Sequence, residues 1–248
     1  MIRADNITLG YKGTPLVSGV NFTLERGKVC AVIGHNGSGK STLVRTLMGL
    51  QPPLAGRFHW QTNASCEMAY LGQSADLDNQ FPMRVKDAVA MGAWKNLGLR
   101  SSINAQKSAK IDQALARTGL TGMANRPLYE CSSGQLQRCF FARAIVQDAP
   151  LILLDEPFSA IDQQTQSNLV KIVKEWRDEG RALLIVLHDI STVMGLADSC
   201  LLLGDGRASF GASQEVLTTD NLLTHHYLTD QQAEWLSLLN SKEGAQNV

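Results

Sequence analysis

The sequence predicts an α/β fold: a mainly parallel sheet flanked by helices, with a helical insertion in its middle third. Short apolar runs at Lys28–Ile33, Leu151–Leu154 and Ala182–Leu187 are typical of buried strands, and helical segments lie between the runs. From about residue 85 to 147 the apolar spacing is instead helical, and no convincing strand interrupts it. This order of elements indicates a parallel core that carries an inserted helical sub-domain.

The N-terminal third is predicted to contain strands, a glycine-rich turn and one helix. Residues 2–9 and 20–24 have loose strand spacing, and the KGTP sequence between them supplies a turn. We therefore expect an antiparallel β part before the parallel core. The apolar run ending at Ile33 leads into Gly34, and the segment that follows opens a helix with its leucines on one face.

The remaining elements are mostly helical. Helices are predicted at Val85–Trp94, Ala105–Leu120, Gly134–Gln147 and Thr165–Arg177. A short strand is predicted at Cys200–Leu203, before the turn sequence GDG. Beyond about residue 215 the sequence is polar and is predicted to be helical.

Composition excludes several classes of protein. The chain has 248 residues, of which 44% are hydrophobic and 19% charged, so a disordered or collagen-like chain is excluded. Lys plus Arg and Asp plus Glu both total 23, so the formal net charge is zero and we expect no nucleic-acid partner. No stretch approaches the ~20 apolar residues of a membrane span, and we expect a soluble, cytoplasmic chain without a signal peptide.

Neither the cysteines nor the paired histidines predict a structural metal site. No two cysteines form a C-x-x-C pair, which disfavours a zinc ribbon and predicts single buried or half-buried thiols. The five cysteines are Cys30, Cys66, Cys131, Cys139 and Cys200. His225 and His226 lack a Cys or carboxylate pair at ligand spacing, so we expect a solvated helix turn there.

The strongest motif is the segment Gly34–Ser41, GHNGSGKS, which matches G-x-x-x-x-G-K-[ST] between a predicted strand and a predicted helix. Its glycines permit positive φ, so successive backbone N–H groups can turn toward phosphate oxygens at a helix N-terminus. Lys40 is expected to reach the β- and γ-phosphates, and Ser41 to ligate Mg²⁺. The expected nucleotide contacts are Gly34, Asn36, Gly37, Ser38, Gly39, Lys40, Ser41 and Thr42.

A second motif supplies two carboxylates. Leu151–Leu154 leads into Asp155 and Glu156, at the carboxyl end of a buried strand, where α/β sheets bind ligands. Asp155 suits Mg²⁺ coordination, and Glu156 suits a base that orients or deprotonates the attacking water. The two motifs together predict a P-loop nucleotide hydrolase. The N-K-x-D tetrad usual in GTPases does not occur in the sequence.

The segment Cys131–Arg138, CSSGQLQR, precedes a predicted helix and resembles the LSGGQ signature of the ATP-binding cassette (ABC) family. The resemblance runs from Tyr11 to about Glu215 and includes both motifs above. It implies that Tyr11 stacks on adenine and that Gln73 contacts Mg²⁺ and water. ATP and Mg²⁺ are therefore the implied cofactors.

The resemblance also implies a head-to-tail homodimer with two ATP molecules at the interface. SAID at Ser159–Asp162 resembles the D-loop, and His188 resembles the switch histidine at the γ-phosphate. Each ATP would lie between the phosphate loop of one protomer and the signature helix of its partner. The implied contacts across the dimer are Ser132, Gly134, Gln135 and Asp162.

The signature departs from the family pattern at two positions. Cys131 replaces the leading Leu and keeps its apolar, compact character. Ser133 replaces the first Gly, and its Cβ would cost roughly 1 kcal/mol if that backbone is left-handed. We therefore expect Ser133 to weaken ATP-driven closure modestly without abolishing it.

The resemblance implies one nucleotide-binding domain over residues 1–248. The P-loop core would comprise about 1–80 and 148–230, the helical sub-domain about 81–147, and a polar tail 231–248.

Length and motif count narrow the class of cassette. Ninety-two positions separate Lys40 from Ser132, too few for the coiled coils of DNA-repair and chromosome-structure cassettes. A single motif set disfavours translation-type cassettes, and the lack of membrane helices disfavours a fused exporter. What remains is a free-standing cassette at the cytoplasmic face of the membrane. Its implied partners are integral-membrane permease subunits and an extracytoplasmic substrate-binding protein.

The segment Phe81–Gly92, FPMRVKDAVAMG, resembles the F-P-x-x-V-x-D-x-V-x-M-G run of importers for zinc, manganese and related divalent metals. The implied function is an ATP-hydrolysing subunit that energises uptake of such an ion. Iron-chelate, haem and cobalamin importers remain alternatives. A non-transport regulatory or DNA-repair cassette is the alternative from a different class.

Overall fold

A computed structural model describes four stretches of the chain, which fold into two compact units. The described residues are 2–60, 68–72, 82–96 and 104–233. The first unit comprises Glu25–Lys28 and Thr62–Ile185, and the second comprises Ile2–Leu24, Val29–Gln61 and Val186–Val248.

The described part of the chain contains nine β-strands and eight α-helices. The strands are β1 (Ile2–Tyr11), β2 (Thr14–Leu24), β3 (Val29–Ile33), β4 (Ala55–Trp60), β5 (Met68–Leu71), β6 (Leu151–Asp155), β7 (Ala182–Val186), β8 (Ser199–Gly204) and β9 (Arg207–Ala212). The α-helices are α1 (Lys40–Leu47), α2 (Val85–Ala90), α3 (Ala105–Arg117), α4 (Ser133–Gln147), α5 (Gln163–Asp178), α6 (Ile190–Leu196), α7 (Ser213–Val216) and α8 (Thr219–Thr224).

The second unit contains an antiparallel sheet with strand order β2-β1-β4. The turn between β1 and β2 contains Lys12 and Gly13, both at positive φ, a conformation that glycine adopts without steric cost. On β2, Phe22 packs against Phe58 and Phe210, with ring centroids 6.4 Å and 6.2 Å away. The expected antiparallel N-terminal part is confirmed.

The second unit also contains β3, β8 and β9. β3 runs parallel to β8, and β9 returns antiparallel to β8. All residues of β3 are buried, as are all but the first residue of β8. Continuous burial is the pattern of a strand covered on both faces, which is why its apolar run could be recognised in the sequence.

The first unit contains the neighbouring strands β5, β6 and β7. β5 pairs parallel with β6, from Met68 opposite Leu151 to Leu71 opposite Leu154. Helix α5 joins β6 to β7 and buries Trp176, whose ring stacks on Phe141 of α4. The two ring centroids are 5.5 Å apart and the planes differ by 4°.

Helices α2, α3 and α4 share a hydrophobic core within the first unit. Its buried members include Val85 and Val89 of α2, Ile111 and Leu115 of α3, and Cys139 of α4. Residues four positions apart lie on the same helix face, so these pairs turn one apolar stripe inward. The predicted helical character of this segment is confirmed.

Among the described residues, four of the strands and α-helices have no predicted counterpart: β4, β5, β9 and α6. The 3₁₀ helices at Thr121–Met123 and Leu128–Glu130 were not predicted either. No residue of β4 or β9 is buried, so neither strand contains the apolar run that reveals a core strand. β5 has four residues and α6 has seven, too few for a clear period. In addition, α2 ends at Ala90 and continues as a 3₁₀ helix over Met91–Asn96, whereas one helix was predicted to Trp94.

Replacing Trp176 by alanine should destabilise the first unit strongly. The substitution removes a fully buried ring and its stacking partner contact, so we expect a loss of about 3–5 kcal/mol in the free energy of unfolding. Denaturant unfolding followed by circular dichroism measures it. Trp94→Ala is the matched control, because Trp94 is 66% exposed and should change stability by less than about 0.5 kcal/mol. Equal effects of the two substitutions would contradict the packing described for α5.

Candidate nucleotide-binding site

The phosphate loop lies in the second unit, between buried strand β3 and helix α1. Gly39 is the N-cap residue of α1 with φ of 103°, and Gly37 has φ of 84°. Residues with a Cβ rarely adopt these angles, so the glycines allow the loop to reverse direction over a short distance. Asn36, Gly37 and Ser41 are exposed, whereas Ser38 and Lys40 are buried and Thr42 is half-buried.

The start of the loop touches the end of β8 with no space for a side chain. A Cβ on Gly34 would lie 2.3 Å from the carbonyl oxygen of Leu203 and 2.4 Å from Ser38 Oγ. The Ser38 hydroxyl is buried, and within the described residues it has no hydrogen-bond partner. A buried donor of this kind fits an acceptor that the protein does not supply, such as a phosphate oxygen.

Lys40 is the buried cation of the loop, with a relative exposure of 6%. Its Nζ donates to the carbonyl oxygens of Gly34, at 2.7 Å, and of His35, at 2.9 Å. These contacts draw the beginning of the loop over the lysine at its end.

At the end of β1, Tyr11 is 68% exposed, and Lys12 Nζ lies 5.3 Å from its ring centroid. An exposed ring has a face available for stacking on a base.

In the first unit, Asp155 and Glu156 lie at the carboxyl end of β6, as the sequence predicts. Asp155 is 7% exposed, and Tyr70 Oη donates to its Oδ2 over 3.4 Å. Glu156 is half-buried and has φ of 51°. A left-handed backbone at a non-glycine residue costs of order 1–3 kcal/mol and is concentrated at functional sites. Such strain supports a functional role for Glu156. The positive φ of this residue could not be predicted from the sequence.

The signature segment forms the N-terminus of α4. Ser132 is the N-cap residue: its Oγ accepts from the Gln135 backbone N–H at 3.3 Å, and Gln135 Oε1 accepts from the Ser132 N–H at 2.9 Å. This reciprocal pair is a capping box. Gly134 lies in the first turn, where an added Cβ would be 3.6 Å from Ile161. Ser132 and Gln135, which are predicted to contact nucleotide, therefore also cap the N-terminus of a 15-residue helix.

The backbone of Ser133 does not have the left-handed conformation in which its Cβ would be costly. Its backbone is helical, because it is the first residue of α4, and a Cβ costs nothing in a right-handed helix. Its Oγ donates to the carbonyl oxygen of Ala160 at 3.0 Å, so the serine bonds the signature segment to the predicted D-loop of the same chain. The condition under which the Ser133 Cβ would cost energy, a left-handed backbone, is therefore not met. The modest weakening of closure stays a prediction, without that physical reason.

Asp162, in the segment predicted to be the D-loop, caps helix α5. Its carboxylate accepts from the Thr165 backbone N–H at 2.9 Å and from the Thr165 hydroxyl at 2.6 Å. These hydrogen bonds to the charged form, first of all the one from the Thr165 side chain, lower the pKa of Asp162. Ala160, two residues earlier, has φ of 56°, so the backbone bends sharply before the helix starts.

His188 lies in the second unit, just after β7, with an exposed side chain. Its carbonyl oxygen accepts a hydrogen bond from the Tyr227 hydroxyl. The next residue, Asp189, caps α6 by accepting from Ser191 and Thr192, and these bonds lower its pKa, the one from the Thr192 side chain most strongly. Gln73, the predicted Q-loop residue, lies outside the described residues.

The comparisons with known proteins identify the family. The family model described as ABC transporter matches residues 17–159, more than half of the chain. The chain belongs to the ABC transporter family. It is accordingly an ABC-type ATPase, and the cassettes of this family bind nucleotide.

Three curated relatives of this ABC cassette are similar over most of their length. It is 33% identical to a chelated iron transport system membrane protein of Yersinia pestis, covering 88% of this chain and 76% of that one. It is 32% identical to the manganese transport system ATP-binding protein of Bacillus subtilis, covering 89% and 90%. It is 34% identical to the zinc transport system ATP-binding protein of Treponema pallidum, covering 88% and 84%.

A solved structure shares the fold of the cassette. An inward-facing metal-chelate type ABC transporter superposes with a TM-score of 0.82 at 29% identity, covering 92% of this chain and 89% of that chain. Among the described residues of the cassette, no helix is both long and apolar enough to cross a membrane.

Among the histidines and cysteines outside the phosphate loop, His225 and three cysteines are buried. His225 is only 2% exposed, so the expectation of a solvated turn was wrong for this residue. Cys30, Cys139 and Cys200 are buried and Cys131 is half-buried, as predicted; Cys66 lies outside the described residues. Burial raises the pKa of the three buried thiols to about 12. Within the described residues, no three His, Cys, Asp or Glu side chains form a metal site.

Replacing Ser132 by alanine should weaken the cassette by about 1 kcal/mol in the free energy of unfolding, because the capping box is lost. Thermal unfolding without nucleotide measures it, so that any contact with ATP does not enter the result. Ser132→Asp keeps an N-cap acceptor and should remain close to wild type. If the alanine variant is as stable as the aspartate variant, the cap does not stabilise α4.

Proposed function

We propose that this cassette hydrolyses ATP with Mg²⁺ and thereby powers an importer of a divalent metal ion, zinc or manganese. The observation that carries the proposal is the phosphate loop, with the Lys40 ammonium at its base. Inside the loop, the buried Ser38 hydroxyl has no hydrogen-bond partner among the described residues. The zinc and manganese relatives support the class of cargo. The expected contacts with the nucleotide in this loop run from Gly34 to Thr42, with Tyr11 stacked on the adenine.

The donor chemistry of the proposed Mg²⁺ site fits that ion. Ser41, Asp155 and Gln73 would supply a hydroxyl, a carboxylate and an amide oxygen, and Mg²⁺ prefers oxygen ligands. Bound Mg²⁺ would neutralise charge on the phosphate oxygens during transfer. Glu156 is the proposed base that orients or deprotonates the attacking water, and His188 the proposed contact to the γ-phosphate.

We further propose that the cassette works as a homodimer with two ATP molecules at the interface. The exposed N-terminus of α4 supports this arrangement, because the first turn of a helix carries positive charge and suits a γ-phosphate. Ser132, Gly134 and Gln135 of one protomer would contact the ATP of the partner, with Asp162 from the D-loop beside them. Hydrolysis would remove these contacts and reopen the dimer.

The proposed partners are integral-membrane permease subunits, to which the cassette binds at the cytoplasmic face, and an extracytoplasmic substrate-binding protein. Two exposed apolar side chains near α2, Met91 at 37% and Trp94 at 66%, support a protein contact there. Phe81 and the Q-loop lie outside the described residues. We expect no nucleic-acid partner.

An importer of chelated iron is the second candidate for the cargo. The Yersinia pestis relative and the metal-chelate type transporter favour it specifically. In both cases the cassette would perform the same ATP hydrolysis, since the cargo is selected by other chains.

The Glu156→Gln variant should bind ATP, hydrolyse it at a rate lowered at least about 100-fold, and accumulate as an ATP-bound dimer, because the base is lost while the phosphate contacts remain. Phosphate release measures turnover, and size-exclusion chromatography with ATP measures dimerisation. Glu215→Gln, at an exposed glutamate on α7, is the control and should behave as wild type. Full turnover by the Glu156 variant would remove that residue from the role of base.

The cargo is tested in cells that depend on this cassette. Cells with Glu156→Gln should contain less of one metal than wild-type cells under chelation, and adding that metal should restore growth. Elemental analysis of zinc, manganese and iron identifies the cargo and separates the two candidates. Unchanged levels of all three metals, in a strain without a redundant uptake system, would reject metal import.

A further inference from the structure

The segment Thr218–Leu228 belongs to the second unit and contains the short helix α8. Hydrogen bonds hold the chain at both ends of this helix. Thr218 caps α8 through its side chain, and Leu222 is buried. After the helix the chain folds back, because the backbone N–H groups of Tyr227 and Leu228 both donate to the Leu222 carbonyl oxygen, at 2.8 Å and 3.2 Å. We call this segment the C-terminal clamp.

His225 fixes the clamp to the hairpin formed by β8 and β9. Its ring bonds to Ser209 Oγ through Nε2 at 2.8 Å and to the Gly204 carbonyl oxygen through Nδ1 at 3.3 Å. A carbonyl oxygen only accepts, so Nδ1 carries the proton and Nε2 accepts from the serine hydroxyl. Desolvation by burial lowers the pKa of His225, which agrees with this neutral ring. A Cβ on Gly204 would lie 2.0 Å from the His225 carbonyl oxygen, so the two backbones are in contact.

Two residues beyond this anchor, Tyr227 contacts the segment 187–189 around His188, which we call the switch loop. Its hydroxyl donates to the backbone carbonyl oxygen of His188. Burial raises the pKa of the Tyr227 phenol, so the hydroxyl stays protonated and can act as the donor. The Tyr227 residue itself is half-buried.

The switch loop has fixed residues on both sides of His188. Before it, the Leu187 backbone N–H donates at 3.0 Å to the carbonyl oxygen of Val32, on the strand β3 that leads into the phosphate loop. After it, the Asp189 carboxylate caps α6 through Thr192 and Ser191. The peptide group that leaves His188 is thus held by the Tyr227 hydroxyl, and its orientation affects where the imidazole points.

We infer that Tyr227 is a positioning residue for ATP hydrolysis: through the His188 carbonyl it holds the switch loop in the orientation that the γ-phosphate contact requires. The inference rests on the role proposed above for His188. Tyr227 does not touch the nucleotide in this scheme and acts only through His188. Its effect should therefore fall on turnover and not on ATP affinity.

The test compares Tyr227→Phe with wild type in the full chain, since this change removes only the hydroxyl. We expect kcat to fall roughly fivefold, the factor expected for one hydrogen bond, with KM for ATP unchanged. In a His188→Ala background, the same change should have no further effect on single-turnover hydrolysis. Tyr129→Phe is the matched control: Tyr129 is 55% exposed in the first unit, and its loss of a hydroxyl should leave kcat as in wild type.

Hydrogen–deuterium exchange of the peptide covering residues 187–192 provides a readout that does not need ATP turnover. Exchange there should be faster in Tyr227→Phe and unchanged in Tyr129→Phe. Unchanged exchange, an unchanged kcat, or the same loss of activity in both His188 backgrounds would each overturn the inference. A wild-type protein without ATPase activity would instead reject the proposed function, and the exchange of this peptide would still decide whether Tyr227 holds the loop.

Discussion

The buried ammonium group of Lys40 sets the shape of the phosphate loop, and the nucleotide chemistry of the cassette depends on that shape. A charge removed from water is costly unless polar groups surround it, and here the carbonyl oxygens of Gly34 and His35 accept from it. Gly34 can approach because its missing side chain leaves room for the Leu203 carbonyl. The loop is therefore folded around the cation that we propose for phosphate binding.

Several residues that the family resemblance assigns to ATP contact also satisfy helix termini. Ser132 and Gln135 form a capping box on α4, and Asp162 caps α5 through Thr165. Helix N-termini leave backbone N–H groups unpaired, so the same residue types suit both a cap and an anion site. A substitution at these positions changes stability as well as binding, which is why each needs a partner variant that retains the acceptor.

Much of the fold, and the positions of the phosphate loop and of the two carboxylates after β6, could be predicted because their signals are local in the sequence. Buried parallel strands such as β3 and β6 are continuous apolar runs, and the phosphate loop has fixed glycine spacing. Other features depend on contacts distant along the chain. Burial of His225 requires β8 and β9, and the bond from Tyr227 to His188 spans 39 positions. The backbone conformation of Ser133 could not be predicted, because a motif gives residue types and not φ angles.

Equilibrium binding of ATP with Mg²⁺ to Gly39→Ala tests the central claim most directly. Alanine at φ of 103° is strained, and its Cβ would lie 3.2 Å from Val17, so the loop should open and ATP affinity should fall at least about tenfold. Gly49→Ala is the matched control: Gly49 also has positive φ, at 72°, but lies beyond α1 with nothing within 4 Å of an added Cβ. The account predicts wild-type affinity for that variant. Wild-type affinity for Gly39→Ala would contradict the claim that the shape of this loop determines nucleotide binding.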